Sequence, residues 1–163
     1  GKRVSKAAIE IVTLGEIDKL NASLGVCTSL ISNKSTKSKK ELLQIKKILS
    51  NIQNDLFYAG SLIAGNKKLL FPKNKSTELE KIIDEFENKL TPLKDFILPQ
   101  GCLLSSSLHF TRALARESER FIVCLKKSDK NVLMYFNRLS DLLFVLARYA
   151  NKLNNVDDSL WKK

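Results

Sequence analysis

Hydrophobic positions recur at alternating intervals of three and four along most of the chain, and each such run predicts a helix. From Ile9 to Ile31 the seam is Ile17, Leu20, Leu24, Cys27 and Ile31. Gly15 and Gly25 fall within it; glycine weakens a helix, so they predict close approach of another backbone or a ligand. Asn33 to Lys40 reads as a polar loop. The next run, Glu41 to Ala64, has the cleanest period in the chain, through Ile45, Leu49, Ile52, Leu56, Ala59 and Ile63, and predicts a central bundle helix.

Gly65 to Ser76, with a glycine near a helix end and with Pro72, reads as a connection. Thr77 with Glu80 has the spacing of a capping box and opens a shorter helix running to about Leu90. Pro92 and Pro99 bracket a largely non-helical segment, Leu93 to Leu98, that carries Phe96. A helix from Leu103 to Lys126 and a break at Ser128 to Lys130 lead to the last helix. Its seam is Val132, Phe136, Leu139, Leu143, Leu146, Ala150 and Leu153. The expected fold is all-α: an antiparallel bundle of four long helices plus one short helix, in a single domain over 1–163.

The helix beginning at Leu103 also carries arranged charge. At about 100° per residue, Arg112, Arg116, Glu119 and Arg120 share roughly a third of its circumference, with His109 on the same stripe. Phe110, Leu114, Phe121 and Leu125 lie opposite. Three guanidiniums about a turn apart repel one another, so the stripe is favourable where an anion lies in front of it or water screens it. A polyphosphate site and an ordinary solvated face both fit that spacing. On the last helix Asn137, Asp141 and Arg148 form a polar line beside the seam, with Arg138 placed to pair with Asp141.

Composition narrows the classes. The chain has 163 residues, 44% of them hydrophobic, with three prolines and six glycines. That length buries enough surface to need no staple. No apolar run approaches the roughly 18 residues of a membrane span, and no signal-peptide pattern opens the sequence. The reading is a soluble intracellular protein, cytoplasmic or, in a eukaryote, in an organelle matrix. Cys27, Cys102 and Cys124 are odd in number and widely spaced, which suits core thiols, Cys27 most clearly, better than disulfides or a zinc site. With a single histidine and no Glu-x-x-His pair, no protein-built metal site is expected, and any metal arrives with a ligand. The net charge of +11 is concentrated in Lys34, Lys37, Lys39, Lys40, Lys46 and Lys47 and in Lys67, Lys68, Lys73 and Lys75. Phe71 is the one aromatic near those lysines, which favours solvated loops over a nucleic-acid surface.

Two blocks then become recognisable. Leu108-His109-Phe110-Thr111-Arg112 with Arg116-Glu117-Ser118-Glu119-Arg120, followed by Tyr135-Phe136-Asn137-Arg138-Leu139-Ser140-Asp141 and its continuation to Asn151, strongly resembles the PduO-type ATP:cob(I)alamin adenosyltransferases. Gly1-Lys2-Arg3-Val4-Ser5-Lys6 and Gly15-Glu16-Ile17-Asp18-Lys19-Leu20-Asn21 are similar to two further segments of that family. Phe96-Ile97-Leu98-Pro99-Gln100-Gly101 is similar to its Phe-Ile-Leu-Pro-Gly-Gly turn. The resemblance spans nearly the whole chain.

It implies an enzyme that moves the 5′-deoxyadenosyl group of ATP onto cob(I)alamin and releases triphosphate. It further implies a homotrimer with active sites at subunit interfaces. Fixed guanidiniums would hold the departing polyanion. Matched position by position, Lys6, Arg116, Glu119, Arg120 and Asn137 are expected to contact ATP, with Mg²⁺ on the phosphates. Asp18 matches an aspartate that pairs with Arg116 across the trimer interface. Phe96 matches the phenylalanine that packs on the lower corrin face and displaces the lower axial ligand; an ordinary cap over the bundle end is its structural alternative. Arg112 could serve phosphate or a structural ion pair.

The sequence departs from the family in four places. The family's Thr-Gly-Asp-x-Gly-x-Thr phosphate loop would precede Gly1, so it is expected upstream, and a protein lacking it is expected to bind ATP weakly. Lys19 stands where the family has Glu, and Glu117 where it has Arg. Gln100 replaces a glycine, which puts the conformation of that turn in question. A corrinoid or nucleotide carrier without turnover, and a basic bundle that binds nucleic acid, are the competing readings.

Overall fold

A computed structural model describes residues 5–31, 38–66 and 68–162. Residues 1–4, most of the polar loop with Lys34 and Lys37, and Lys67 lie outside them. Five helices follow in order: α1 Ile9–Leu30, α2 Lys39–Ile63, α3 Lys75–Glu87, α4 Leu103–Val123 and α5 Lys130–Leu153.

The seams predict the packing well. Ile17, Leu20, Leu24 and Cys27 of α1, Ile45, Leu49, Ile52, Leu56 and Ala59 of α2, and Val132, Phe136, Leu139, Leu143, Leu146 and Ala150 of α5 are all buried. α1 packs on α2 and α4, and α5 packs on α4 and α2, while among the described residues the backbones of the diagonal pairs stay apart. The four long helices therefore close a ring in the order α1, α2, α5, α4. Thr13 lies beside Phe121 and Cys27 beside Thr111, so α1 and α4 run antiparallel. Every neighbour in the ring is antiparallel, as expected. α3 lies outside the ring on α5 and runs parallel to it, since Glu80 approaches Arg138 while the Phe86 and Tyr149 rings meet edge to face at 4.9 Å.

The helix at the centre is α5 and not α2. α2 buries one face only, and its join to α5 is the ring's thinnest, reinforced by Asp55. That carboxylate accepts from the Tyr135 hydroxyl at 3.0 Å and pairs with Lys75 of α3 at 3.1 Å. α5 contacts three helices, and from Leu142 to Asn151 only Phe144 escapes full burial. A clean three-four period marks a helix with one apolar stripe, whereas a helix covered on several sides loses that contrast.

Local chemistry sets the ends. The Asp129 carboxylate caps α5 by accepting from the Asn131 and Val132 amides at 2.7 and 3.4 Å. Gly65, at φ 96°, ends α2 in the left-handed region that favours glycine. α3 starts two residues before Thr77, so Thr77 lies inside the helix and forms no capping box. Instead Asn74 takes the N-cap position and its side chain donates to Glu78 Oε1 at 2.7 Å. α4 ends at Val123, short of Lys126, and leaves Cys124 exposed rather than in the core; Cys27 is fully buried, and burial pushes its thiol up.

Candidate functional site

α4 packs between α1 and α5, and this divides its circumference. Leu104, Leu108, Thr111, Ala115, Ser118 and Ile122 are buried between the two neighbours. Of the residues that the wheel sets opposite the arginines, Leu114 is buried, whereas Phe110 stands 63% exposed on a groove with Ala22, Ser23 and Val26 of α1. His109 is not on the cationic front: it is buried against Phe144, ring centroids 5.9 Å apart, with neither nitrogen hydrogen-bonded. Burial, with the Arg112 charge, holds its pKa below the usual imidazole value, so it sits neutral in the core.

What remains is a line of guanidiniums along the edge where α4 meets α5. Arg112 is half-buried, its Nε is enclosed without a partner, and burial and the Arg116 charge both lower its pKa. Arg112 and Arg116 line a cleft of about 360 Å³ together with Ile83, Glu87, Arg138, Ser140, Asp141 and Phe144. Arg138 is neutralised there by Asp141 at 3.0 Å and lies 3.8 Å from Glu80. Among the described residues, no carboxylate lies within ion-pair distance of Arg112, Arg116 or Arg120. One turn on, Asn137 Nδ2 donates to Glu119 Oε1 at 3.0 Å, and Arg138 Nη2 donates to Asn137 Oδ1 at 3.0 Å. Unpaired cations beside ordered polar groups have the chemistry to receive an anion.

The structure thus brings Arg116, Glu119, Arg120 and Asn137 to one edge. Lys6 is exposed in the turn before α1, and the antiparallel pairing of Thr13 with Phe121 puts it at the Arg120 end of the bundle. Asp18 does not meet Arg116 within one chain. It lines a groove with Leu14, Ile17, Leu56, Phe57 and Gly60 between α1 and α2, away from the cleft on the α5 side. Its neighbour Lys19 reaches α4 and pairs with Glu117 at 3.2 Å and with Glu16. The two departures from the family pattern at these positions are therefore one charge-swapped pair. Sequence reasoning marks both and does not join them, although both reverse sign.

Phe96 stands at the other end, where α4 begins and α5 ends, about 25 Å along α4 from Arg120 at 1.5 Å per residue. Its ring is 81% exposed and caps nothing. Its carbonyl accepts from the Trp161 amide at 2.8 Å, and Ile97 bridges Leu160. The positive φ of this turn falls on Gly101, at 139°, and not on Gln100. A Cβ on Gly101 would lie 2.0 Å from Asn151 Oδ1, so glycine is required there and Gln100 is accommodated. Arg148 does not share the surface line of Asn137 and Asp141; it is buried near this turn and pairs with Asp158 at 2.7 Å.

Other expectations change too. Gly15 has no heavy atom within 4 Å of a Cβ position and Gly25 only Gln53 Nε2 at 3.7 Å, so neither permits a close approach within the chain. Phe71 is a core residue, edge to face with Tyr58 and Tyr135, and not a base-stacking platform. Among the described residues no helix is long and apolar enough to cross a membrane.

Comparison with known proteins bears directly on this arrangement. The cobalamin adenosyltransferase family model matches residues 1–150. Corrinoid adenosyltransferase MMAB of Mus musculus is 36% identical over 168 residues, covering 100% of this chain and 71% of the relative. Corrinoid adenosyltransferase PduO of Citrobacter freundii is 38% identical over 157 residues, covering 91% of this chain and 44% of that longer protein. A solved variant of the PduO-type ATP:corrinoid adenosyltransferase from Lactobacillus reuteri, complexed with cobalamin and ATP, superimposes with a TM-score of 0.87 at 32% identity, covering 98% of this chain and 87% of that one.

Proposed function

The chain belongs to the cobalamin adenosyltransferase family, and from that membership we infer that it transfers the 5′-deoxyadenosyl group of ATP to cob(I)alamin. The family match over residues 1–150 carries this reading. In the reaction the cobalt–carbon bond forms at C5′, the C5′–oxygen bond breaks, and triphosphate leaves with the electron pair.

The unpaired guanidiniums of Arg116 and Arg120 then bind the triphosphate and stabilise charge as it develops on the leaving oxygen. Glu119 and Asn137, already hydrogen-bonded to each other, contact the rest of the nucleotide, and Lys6 closes on the phosphates from the turn before α1. Among the described residues no three His, Cys, Asp or Glu side chains gather as a metal cage. The nucleotide's own phosphates would hold Mg²⁺. Phe96, exposed and apolar, takes the lower face of the corrin, where it displaces the axial ligand and eases reduction of cobalt.

We further propose a homotrimer of single-domain chains spanning 1–163, working in the cytoplasm or an organelle matrix. Two observations support shared sites. Asp18 and Arg116 are on different sides of one bundle, so their pairing needs a second copy. Phe96 and Arg120 lie at opposite ends of α4, so one chain does not bring corrin and phosphate together. The test is to incubate full-length protein with ATP, Mg²⁺ and chemically reduced cobalamin. The corrin absorbance should shift to that of the alkylated form; binding of adenosylcobalamin without turnover would instead identify a carrier.

A further inference from the structure

The segment from Thr91 to Cys102 holds Phe96 away from any helix, and its ring has little packing of its own, so its pose depends on what fixes the backbone. Three sets of hydrogen bonds do so. At the start, Arg148 Nη2 donates to the Thr91 carbonyl at 2.7 Å. At the end, Asn151 Nδ2 donates to the Gln100 carbonyl at 3.3 Å, and Asn151 Oδ1 accepts from the Cys102 amide at 3.0 Å. In the middle, the Leu98 amide donates to the Ser159 carbonyl at 2.8 Å and the Trp161 amide to the Phe96 carbonyl at 2.8 Å.

The outer two sets come from rigid, buried side chains three residues apart on α5. The middle set comes from an extended stretch after α5 that belongs to no helix and would be loose by itself. One residue ties that stretch down. Asp158 accepts from Arg148 Nε on Oδ2 at 2.7 Å and from Asn151 Nδ2 on Oδ1 at 3.2 Å, the same two side chains that grip the ends of the turn. Both carboxylate oxygens are thus engaged, and the strap, the turn and α5 form one network. Such a network is worth more than separate bonds because losing one partner leaves buried groups unpaired.

We propose that Asp158 is a positioning residue for Phe96, acting through the 159–161 strap; the proposal rests on Phe96 meeting the corrin. Its effect belongs to the corrin half of the reaction, because the arginine cleft makes no bond to this network.

The test compares full-length wild type with Asp158→Asn and Trp161→Pro. The proline removes the amide that bonds the Phe96 carbonyl together with the half-exposed indole and leaves the Asp158 carboxylate untouched; Trp161→Ala, which loses the indole but keeps the amide, is the control and should behave as wild type. In both variants the Leu98 amide should exchange with solvent at least tenfold faster while α4 amides keep their protection. The KM for ATP should stay within twofold, the kcat/KM for cobalamin should fall at least tenfold, and Trp161→Pro should add nothing to Phe96→Ala. Unchanged exchange at Leu98, equal losses towards both substrates, or additive effects with Phe96→Ala would overturn the proposal. An inactive wild type would overturn the functional reading, whereas the exchange measurement judges the strap separately.

Discussion

Arg116 and Arg148 carry the same guanidinium on neighbouring helices, and the fold treats them in opposite ways. Arg148 is 6% exposed, paired with Asp158 and bonded to the Thr91 carbonyl, so its charge is matched and its geometry fixed. Arg116 is exposed beside Arg112, without a carboxylate in reach among the described residues. One arginine is committed to the fold, and the other is left free for the anion proposed above. Charge that is already satisfied builds structure; charge left unsatisfied at an ordered edge is available for substrate.

The largest expected effects break this comparison if they come out reversed. Arg148→Met leaves Asp158 Oδ2 and the Thr91 carbonyl without their partner and should cost about 3 kcal/mol of unfolding free energy in urea titrations. Arg116→Ala should leave stability within about 0.5 kcal/mol, since it relieves repulsion, yet lower kcat at least about 100-fold. Trimer content should be followed by sedimentation, because Arg116 also has the proposed interfacial role. Phe96→Ala sharpens the contrast from the apolar side: an 81% exposed ring contributes little to stability, so melting should barely move while most cobalamin turnover is lost with ATP affinity retained.

His109 gives a pH test. Its folded pKa lies below its unfolded value near 6.5, so the unfolded chain takes up the proton more readily. Stability associated with neutral His109 is complete above about pH 6.5 and declines as pH falls below it. Thermal melts of wild type and His109→Gln between pH 7.5 and 5 should converge as the pH drops; parallel curves would show that the imidazole is solvated.

Smaller effects probe α1. Gly15 lies in a helix with open space around it, so Gly15→Ala should add about 0.5–1 kcal/mol. A loss instead would place a second copy against that face. Exchanging the partners, Lys19→Glu with Glu117→Lys in a Glu16→Gln background, should restore the melting temperature that each single change removes there. Failure to do so would mean that the pair is only a meeting of solvated charges.

Most helices are legible because their core positions recur at helical spacing; Ile45 to Ala59 and Val132 to Ala150 need nothing more. Errors arise where charged and buried positions share a helix. On α4 a single wheel cannot separate burial against α1 from burial against α5, so it puts His109 with the arginines and Phe110 on the apolar side. The arginine edge is legible because charge repeats once per turn. The Phe96 clamp is not, since Asp158, Arg148 and Gln100 are joined by hydrogen bonds that follow no period. The Lys19–Glu117 pair is legible in principle: both positions reverse sign against the family pattern, which predicts contact.

The strap has a consequence for the order in which the working protein comes into being. Everything it grips, from Thr91 to Asn151, precedes it on the ribosome, and chains emerge at roughly 5–20 residues per second. A nascent chain that has released α5 but not residues 158–161 already has its arginine edge, while the Phe96 turn is held only at its two ends. On the roles proposed for Arg116 and Phe96, each chain therefore completes its nucleotide half before its corrin half, and residues 158–161 set the interval between them.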